Sequence, residues 1–280
     1  MKENFNLVNN KNESIENDYT RTLQFIFIKA TLDLFPDAKI TIQHSVGKGI
    51  FGEVFKNRDL NEKDIEDIKA KMQELIDKDL PINKIKVSKE YAINIFKSYN
   101  MDDKVLLLEQ VDFKTVNLYE LDGRYDYFYG HMTKRTSDIK AFDLIYYENG
   151  FILRRPNDYK TFTLTEFVEQ RKMSKIFRET EKWLDILDVG NVGALNNKID
   201  KGELINLVMI SEALHEKKIA EIADKINLRN EVKLILIAGP SSSGKTTFAN
   251  RLGIQLRVNG ITPVPISLVD YFVNRDKTPI

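Results

Sequence analysis

The sequence contains no cysteine and no long apolar run. Without cysteine the chain can form neither disulfide bonds nor thiolate metal sites, and its composition favours a reducing compartment. No apolar stretch approaches the roughly 20 residues that a membrane span needs. The N-terminus is polar and lacks the apolar core of a signal peptide. We therefore expect a cytoplasmic protein that makes no membrane contact.

An excess of charge is also missing, because Lys+Arg and Asp+Glu both count 42. No global field attracts RNA, so any RNA contact must be local. The three histidines have no partners at the spacing of a zinc site. The hydrophobic content of 42% is typical of a globular protein, and the 280 residues leave room for about two domains.

The order of apolar patterns predicts an α+β domain over residues 18–160, preceded by a flexible arm at 1–17. A helical connector is expected over 161–230, with long helices at 164–188 and 201–227. Within the first domain we expect helices at 18–34, 61–79, 88–98 and 102–110, and strands at 38–46, 50–55, 82–87, 115–121, 141–147 and 150–154.

A phosphate-binding pattern, G-x-x-x-x-G-K-[ST], occupies residues 239–246. The glycines let backbone N–H groups approach phosphate oxygens, the lysine adds positive charge, and the threonine hydroxyl can bind Mg²⁺. An apolar run at 232–238 and a helical pattern at 246–258 flank the loop as strand and helix. We predict binding of ATP with Mg²⁺, with Thr246 as the metal ligand. The predicted nucleotide-binding residues are Gly239, Pro240, Ser241, Ser242, Ser243, Gly244, Lys245, Thr246 and Thr247.

Residues 231–280 are predicted to be the incomplete N-terminal part of a P-loop α/β domain, with a second strand at 263–268. Such a sheet needs about five strands, so we expect a longer protein. Asp270 follows the second strand, at the edge where substrates bind, and could act as a base. Arg275 and Asp276 could touch a substrate in the same loop. An ordinary strand-end turn is the alternative interpretation.

Three further patterns have simpler interpretations. The G-x-G-x-x-G at 47–52 is followed by a strand pattern, which favours a hairpin with positive φ over a dinucleotide or protein kinase loop. The aromatic stretch 125–131 could stack bases, but core packing is the simpler interpretation. A basic set could contact phosphates, although solvated surface charge is the default. That set contains Lys134, Arg135, Lys140, Arg154 and Arg155.

Residues 232–279 resemble the uridine kinase/phosphoribulokinase family of P-loop kinases. The resemblance rests on Ile-Ala-Gly-Pro-Ser-Ser-Ser-Gly-Lys-Thr-Thr-Phe-Ala and on Val-Pro-Ile-Ser-Leu-Val-Asp-Tyr-Phe. It implies transfer of the ATP γ-phosphoryl group to the 5′-hydroxyl of a nucleoside, with Lys245 neutralising phosphate charge and Asp270 as base. In relatives an aspartate often stands where this chain has Val269, so either Val269 or Asp270 holds the base position. Phosphoribulokinase or pantothenate kinase chemistry, or an ATP-regulated RNA-binding or sensor protein, are the alternatives.

The rest of the chain resembles the bacterial uridine kinase-like proteins that carry a threonyl-tRNA-synthetase-like region ahead of the kinase. Residues 21–55 and 130–155 are similar to the second N-terminal domain of those synthetases, and residues 212–221 to the connector. That domain edits with two histidines and a Cys/His pair. The aligned positions here hold Arg21, Phe25, Phe128 and Met132, so only a fold or binding role is implied.

Overall fold

The computed structural model describes the backbone of residues 2–47, 49–229 and 231–273, and within these ranges the side chains from Ile15 onward. The chain forms two compact units, Met1–Asn196 and Asn197–Ile280. In chain order the elements are α1 (Lys2–Leu34), β1 (Lys39–Val46), β2 (Gly49–Phe55), α2 (Glu62–Asp77), β3 (Asn83–Ser88), α3 (Lys89–Ser98), α4 (Asp102–Glu109), β4 (Thr115–Leu121), β5 (Arg124–Asp126), β6 (Asp143–Tyr147), β7 (Gly150–Arg154), α5 (Arg171–Ile186), α6 (Val192–Asp200), α7 (Leu204–Asn227) and α8 (Lys245–Val258).

The first unit is built on two antiparallel sheets, which confirms the predicted α+β class. One sheet has the strand order β1-β2-β7-β6 and the other the order β3-β4-β5. Apart from the starts of α1 and α5, the predicted helices and strands of this unit are present within a few residues of their predicted bounds. The strand β5 and the helix α6 were not predicted. Strand β5 has only three residues, and α6 lies in a glycine-flanked segment, so neither shows a detectable periodicity.

Helix α1 differs from its prediction at its start and in its burial. It begins at Lys2 rather than at residue 18, so the segment predicted as a flexible arm is helical from residue 2. The reason is that residues 2–34 contain neither proline nor glycine, the residues that most strongly stop a helix. Burial on every side, rather than on one face, marks the C-terminal half as a core helix. Its fully buried side chains include Phe25, Ile26, Phe27 and Ala30.

The glycine pattern at 47–52 forms the β1–β2 hairpin, as predicted. Gly47 has a φ of +60°, which a turn between antiparallel strands requires and which glycine adopts without strain. Gly52 lies where a Cβ atom would stand 2.3 Å from the carbonyl oxygen of Thr41. The motif therefore serves strand packing. It leads into strand β2 and not into the helix that a dinucleotide-binding loop requires.

Helix α2 packs the predicted apolar face against α1 and the core. Asn61 and Asp64 form a capping box, in which the Asn61 side chain accepts from the Asp64 amide and the Asp64 carboxylate accepts from the Asn61 amide. This reciprocal pair fixes the first turn. The buried residues of α2 confirm the period read from the sequence: Ile65, Ile68, Met72, Leu75 and Ile76.

The predicted connector over 161–230 is divided between the two units. Helix α5 lies against β1, where the Phe177 ring stacks on His44 with centroids 3.9 Å apart. Helix α7 instead packs on α8, through a cluster of Ile219, Ala223, Leu252 and Leu256. Helix α5 begins at Arg171 rather than at residue 164, after a stretch in which Asp158 and Thr163 form an isolated bridge. No helix within the described ranges is long and apolar enough to cross a membrane.

The second unit differs most from its prediction. Residues 232–238 and 263–268 were predicted to be strands of a parallel sheet, but neither segment is a strand among the described residues. Leu234 and Leu236 are 73% and 79% exposed. A strand that is apolar on both faces is stable only between neighbouring strands, and the described residues supply none here. The described residues therefore do not form the start of a P-loop α/β sheet.

Candidate functional site

The phosphate loop, residues 239–246, has a backbone suited to an anion. Ser242 has a φ of +58° and Gly244 a φ of +79°, whereas Ser243 and Lys245 are not among the residues with positive φ. Such an alternation turns successive N–H groups toward one side and forms an anion-binding concavity. The structure thus brings the predicted residues 239–246 together in one tight turn.

Helix α8 continues directly from the phosphate loop. It starts at Lys245, and its N-cap, Gly244, offers no side-chain acceptor, so the first amides of the helix lack a side-chain cap. Unpaired amides and the helix dipole both favour a negative group at this point. Thr246 and Thr247 are exposed in the first turn, where their hydroxyls can reach a ligand.

The Lys245 ammonium folds back over the phosphate loop. Its Nζ atom donates to the carbonyl oxygens of Gly239 at 3.0 Å and of Pro240 at 2.6 Å. The two carbonyls hold a cation at the mouth of the concavity. An arriving phosphate would compete for this ammonium with two neutral acceptors, and an anionic acceptor forms the stronger hydrogen bond.

Asp270 does not occupy the predicted position at the end of a strand. It lies in a 3₁₀ turn, Leu268–Tyr271, where its amide donates to the Ser267 carbonyl at 3.2 Å. The predicted substrate contacts Arg275 and Asp276 lie outside the described residues. The catalytic roles of Lys245 and Asp270 stay predictions from the sequence.

Helix α7 supports α8 through polar contacts as well as through the apolar cluster. The Arg251 guanidinium lies 2.5 Å from the Glu216 carboxylate, and Gln255 donates to the same carboxylate at 2.6 Å. The hydrogen bonds from Gln255 and Arg251 lower the pKa of Glu216. His215 Nδ1 lies 3.2 Å from Arg251 Nη1. These contacts orient the helix whose N-terminus closes the phosphate loop.

The first unit exposes a second candidate site, around Tyr129. We call it the Tyr129 surface and define it by Arg21, Lys84, Tyr129, His131 and Lys134. The Tyr129 ring is 85% exposed. Arg21 Nη1 donates to the His131 carbonyl at 3.2 Å, and Lys84 Nζ donates to the Gly130 carbonyl at 3.4 Å. An exposed ring next to loop carbonyls that are contacted by two cations is an arrangement that can stack a base and bind phosphates.

The loop that carries Tyr129 is held firmly on both sides. Gly130 has a φ of +104°, and its carbonyl also accepts from the Tyr119 hydroxyl at 2.7 Å. Farther along, the buried Thr136 hydroxyl donates to the Leu75 carbonyl of α2 at 2.7 Å and accepts from the Leu80 amide at 2.9 Å. The exposed ring is therefore presented by a fixed backbone.

The positions aligned with the editing residues of synthetases come together beside this surface. The rings of Phe25 and Phe128 lie 5.4 Å apart, and Phe128 and Met132 both pack against the main core. Phenylalanine and methionine side chains offer none of the nitrogen or oxygen ligands that zinc prefers when cysteine is absent. The place is a packed apolar region with Arg21 at its rim.

Most of the basic residues predicted to contact phosphate are already engaged. Lys140 donates to the Ser137 carbonyl at 2.7 Å. Three arginines form ion pairs, Arg135 with Asp79, Arg154 with Asp143, and Arg155 with Glu16. Lys134 is exposed, and no carboxylate pairs with it among the described residues. Lys84 was missed, although alternating lysines in a strand pattern could have indicated a basic sheet face.

Comparison with known proteins supports the resemblance to threonyl-tRNA synthetases and changes the functional interpretation. No protein-family profile matches the chain. The chain is similar to the threonine–tRNA ligase of Geobacter sp., with 34% identity over 119 residues, which are 42% of this chain and 19% of that protein. The enzyme of Syntrophotalea carbinolica is 33% identical over 128 residues, which are 45% of this chain and 20% of that protein. The enzyme of Lawsonia intracellularis is 30% identical over 120 residues, which are 43% of this chain and 19% of that protein.

The match spans about a fifth of the length of these relatives. It confirms the synthetase-like region predicted from the sequence and does not extend to a uridine kinase family. This finding shows that the predicted nucleoside kinase function is wrong. The motif that motivated it is short and indicates phosphate binding, but it does not identify the reaction. The comparisons instead relate the chain to part of the threonine–tRNA ligases.

Proposed function

We propose that the first unit binds tRNA through the Tyr129 surface. The observation that carries the proposal is the exposed ring of Tyr129 on a fixed loop, whose next two carbonyls, of Gly130 and His131, accept from the cations of Lys84 and Arg21. The similarity to threonine–tRNA ligases supports tRNA as the class of RNA. Activity of a complete ligase is not part of the proposal, because the match covers about a fifth of those proteins.

The chemistry of the surface accounts for binding by a protein with no net charge. Bases stack on exposed aromatic rings in a way that tolerates any sequence, and lysine and arginine bind the neighbouring phosphates. Arg21 keeps most of its nitrogens available, since Nη1 alone makes the contacts with His131 and Asp18. Binding is therefore local and falls as salt rises.

The Tyr129 ring can be tested by substitution. We expect Tyr129→Ala to weaken tRNA binding by about 1–3 kcal/mol, or about 5- to 150-fold, which is the contribution of one stacked base. Fluorescence anisotropy with labelled tRNA would measure it. Phe55→Ala is the matched control, because Phe55 is an exposed ring at the end of β2. Equal effects of the two substitutions would contradict the proposal.

The RNA class is tested separately. The same titration with a fully base-paired RNA of equal length should give weaker binding than tRNA at the same salt concentration. If both RNAs bind equally, tRNA is not the preferred partner, although the surface still binds RNA.

We infer a second function, in which the phosphate loop binds a nucleoside triphosphate together with Mg²⁺. The alternation of φ through Ser242 and Gly244 and the ammonium of Lys245 suit a phosphate group. Thr246 supplies one hydroxyl, and no group of three or more acidic or histidine side chains could hold a metal among the described residues. Mg²⁺ would thus arrive with the phosphates, as it usually does in nucleotide sites.

Calorimetric titration with ATP and Mg²⁺ tests this function. We expect Lys245→Ala to lower the affinity about 10- to 100-fold, because a charge-assisted hydrogen bond is worth about 1.5–3 kcal/mol. Lys225→Ala, an exposed lysine on α7, serves as the control. The same affinity in both variants would mean that the loop does not bind the triphosphate.

A further inference from the structure

The sheet β3-β4-β5 has one covered face and one that is open along β3 and the start of β4. Helices α3 and α4 cover the first face, where Ala92, Phe96, Val105 and Leu108 pack on Val116 and Leu118. On the other face the side chains alternate in register: Lys84 opposite Tyr119, Lys86 opposite Asn117, and Ser88 opposite Thr115. We call the exposed members of this second face the β3–β4 face: Lys84, Lys86, Ser88, Thr115 and Asn117.

The β3–β4 face is basic and carries no exposed carboxylate. Neither Lys84 nor Lys86 pairs with an acidic side chain among the described residues, and their cross-strand partners are a tyrosine and an asparagine. Asp126, which lies opposite Tyr119 on β5, is fully buried and bonded to Lys104. In a chain of equal positive and negative charge, two unpaired lysines on one face are a local positive strip.

This strip is continuous with the Tyr129 surface. Lys84 belongs to both, since its Nζ atom reaches the Gly130 carbonyl at 3.4 Å and lies over the Tyr119 ring, 5.4 Å from its centroid. From Lys84 the face runs to Lys86 and then to Ser88, a distance of about 13 Å at about 3.3 Å per residue. The two lysines are about 7 Å apart, which suits successive phosphates of an extended strand.

We propose that the β3–β4 face binds the sugar–phosphate backbone of a single-stranded RNA segment whose neighbouring base stacks on Tyr129. The proposal rests on the proposed function and extends it to a longer footprint. Lysines pair with phosphates, while the hydroxyl of Thr115 and the amide of Asn117 can bond to phosphate or sugar oxygens. One row of lysines follows one backbone. A duplex, which presents two backbones across a groove, would leave one of them without a cation.

The test compares RNA lengths in the full chain. Fluorescence anisotropy is measured with an oligouridine of 4 nucleotides, one of 12 nucleotides, and a 12-base-pair RNA duplex. Lys86→Ala is the test variant, and Lys39→Ala is its control, an exposed lysine on the edge strand β1. Tyr129→Ala is measured in parallel as the readout of the proposed function.

We expect Lys86→Ala to weaken binding of the 12-mer at least threefold in 50 mM salt and to leave the 4-mer unchanged. The slope of log affinity against log salt for the 12-mer should become shallower by about 0.7, so the loss should be about threefold smaller at 200 mM salt. Lys39→Ala should change neither quantity.

The possible failures are distinct. If Tyr129→Ala weakens the 12-mer and Lys86→Ala does not, the β3–β4 face is not part of the footprint and the proposed function stands. If Lys86→Ala and Lys39→Ala weaken it equally, the effect is one of net charge and the proposal is overturned. If Lys86→Ala weakens binding of the duplex as much as binding of the 12-mer, the partner is not single-stranded RNA and the proposal is overturned. If no variant has an effect, the proposed function fails as well.

Discussion

The hydroxyl of Thr136 connects the scaffold to the candidate RNA site, and removing it tests that connection. Thr136 is fully buried; it donates to the Leu75 carbonyl near the end of α2 and accepts from the Leu80 amide. Valine has nearly the same shape but no hydroxyl. Thr136→Val therefore keeps the packing and leaves one carbonyl and one amide without their partner.

The expected loss of stability follows from these two groups. A buried polar group that loses its partner costs about 1–3 kcal/mol. Because Leu75 is buried and Leu80 only partly so, we expect a loss of about 2–4 kcal/mol in the free energy of unfolding of the first unit. The segment from residue 127 to residue 138 should also exchange its amides faster, because Thr136 anchors it to α2.

Hydrogen exchange in α2 peptides across a urea series would measure this loss. Thr41→Val is the matched control, because Thr41 is exposed on β1 and makes no side-chain hydrogen bond among the described residues. A loss below about 0.5 kcal/mol for Thr136→Val, the range of ordinary surface substitutions, would refute the reasoning.

Three further predictions concern charge, packing and backbone. The Arg58 hydrogen bond, with help from Lys56, lowers the pKa of Asp64 to about 2, so its stabilising contribution should be present above about pH 4 and lost as pH falls toward 2. The free energy of unfolding of wild type and of Asp64→Asn, measured as pH is lowered, would show this loss. Parallel stability curves for the two proteins would contradict it. Leu252→Ala should lower the free energy of unfolding by about 2–5 kcal/mol, because Leu252 is only 3% exposed. Hydrogen exchange in α7 and α8 would measure this loss, and a loss below about 1 kcal/mol would disagree with that burial. Gly244→Ala should lower ATP affinity about 5- to 30-fold through about 1–2 kcal/mol of backbone strain at a φ of +79°; unchanged affinity would show that the φ is not required.

Local patterns in the sequence determined much of the first unit. The 3.6-residue period of α2 identified all five of its buried apolar residues, and the glycine pattern at 47–52 was correctly interpreted as a hairpin. Both features depend on neighbours close in the chain, so a short window contains the cause. The phosphate loop belongs to the same class, because glycine freedom and a helix start at Lys245 are local properties.

Tertiary structure decided what the local patterns left open. Whether residues 232–238 become a strand depends on partner strands, and the same holds for the strand edge at which Asp270 was expected. The Tyr129 surface depends on pairings across the fold: Arg21 meets His131, and Lys84 meets Gly130, over separations that no periodicity encodes. Burial also reversed one interpretation, because Arg154 is enclosed with Asp143 instead of facing solvent. Composition and spacing thus determined the elements and the phosphate loop, whereas long-range contacts decided which cations and rings stay exposed.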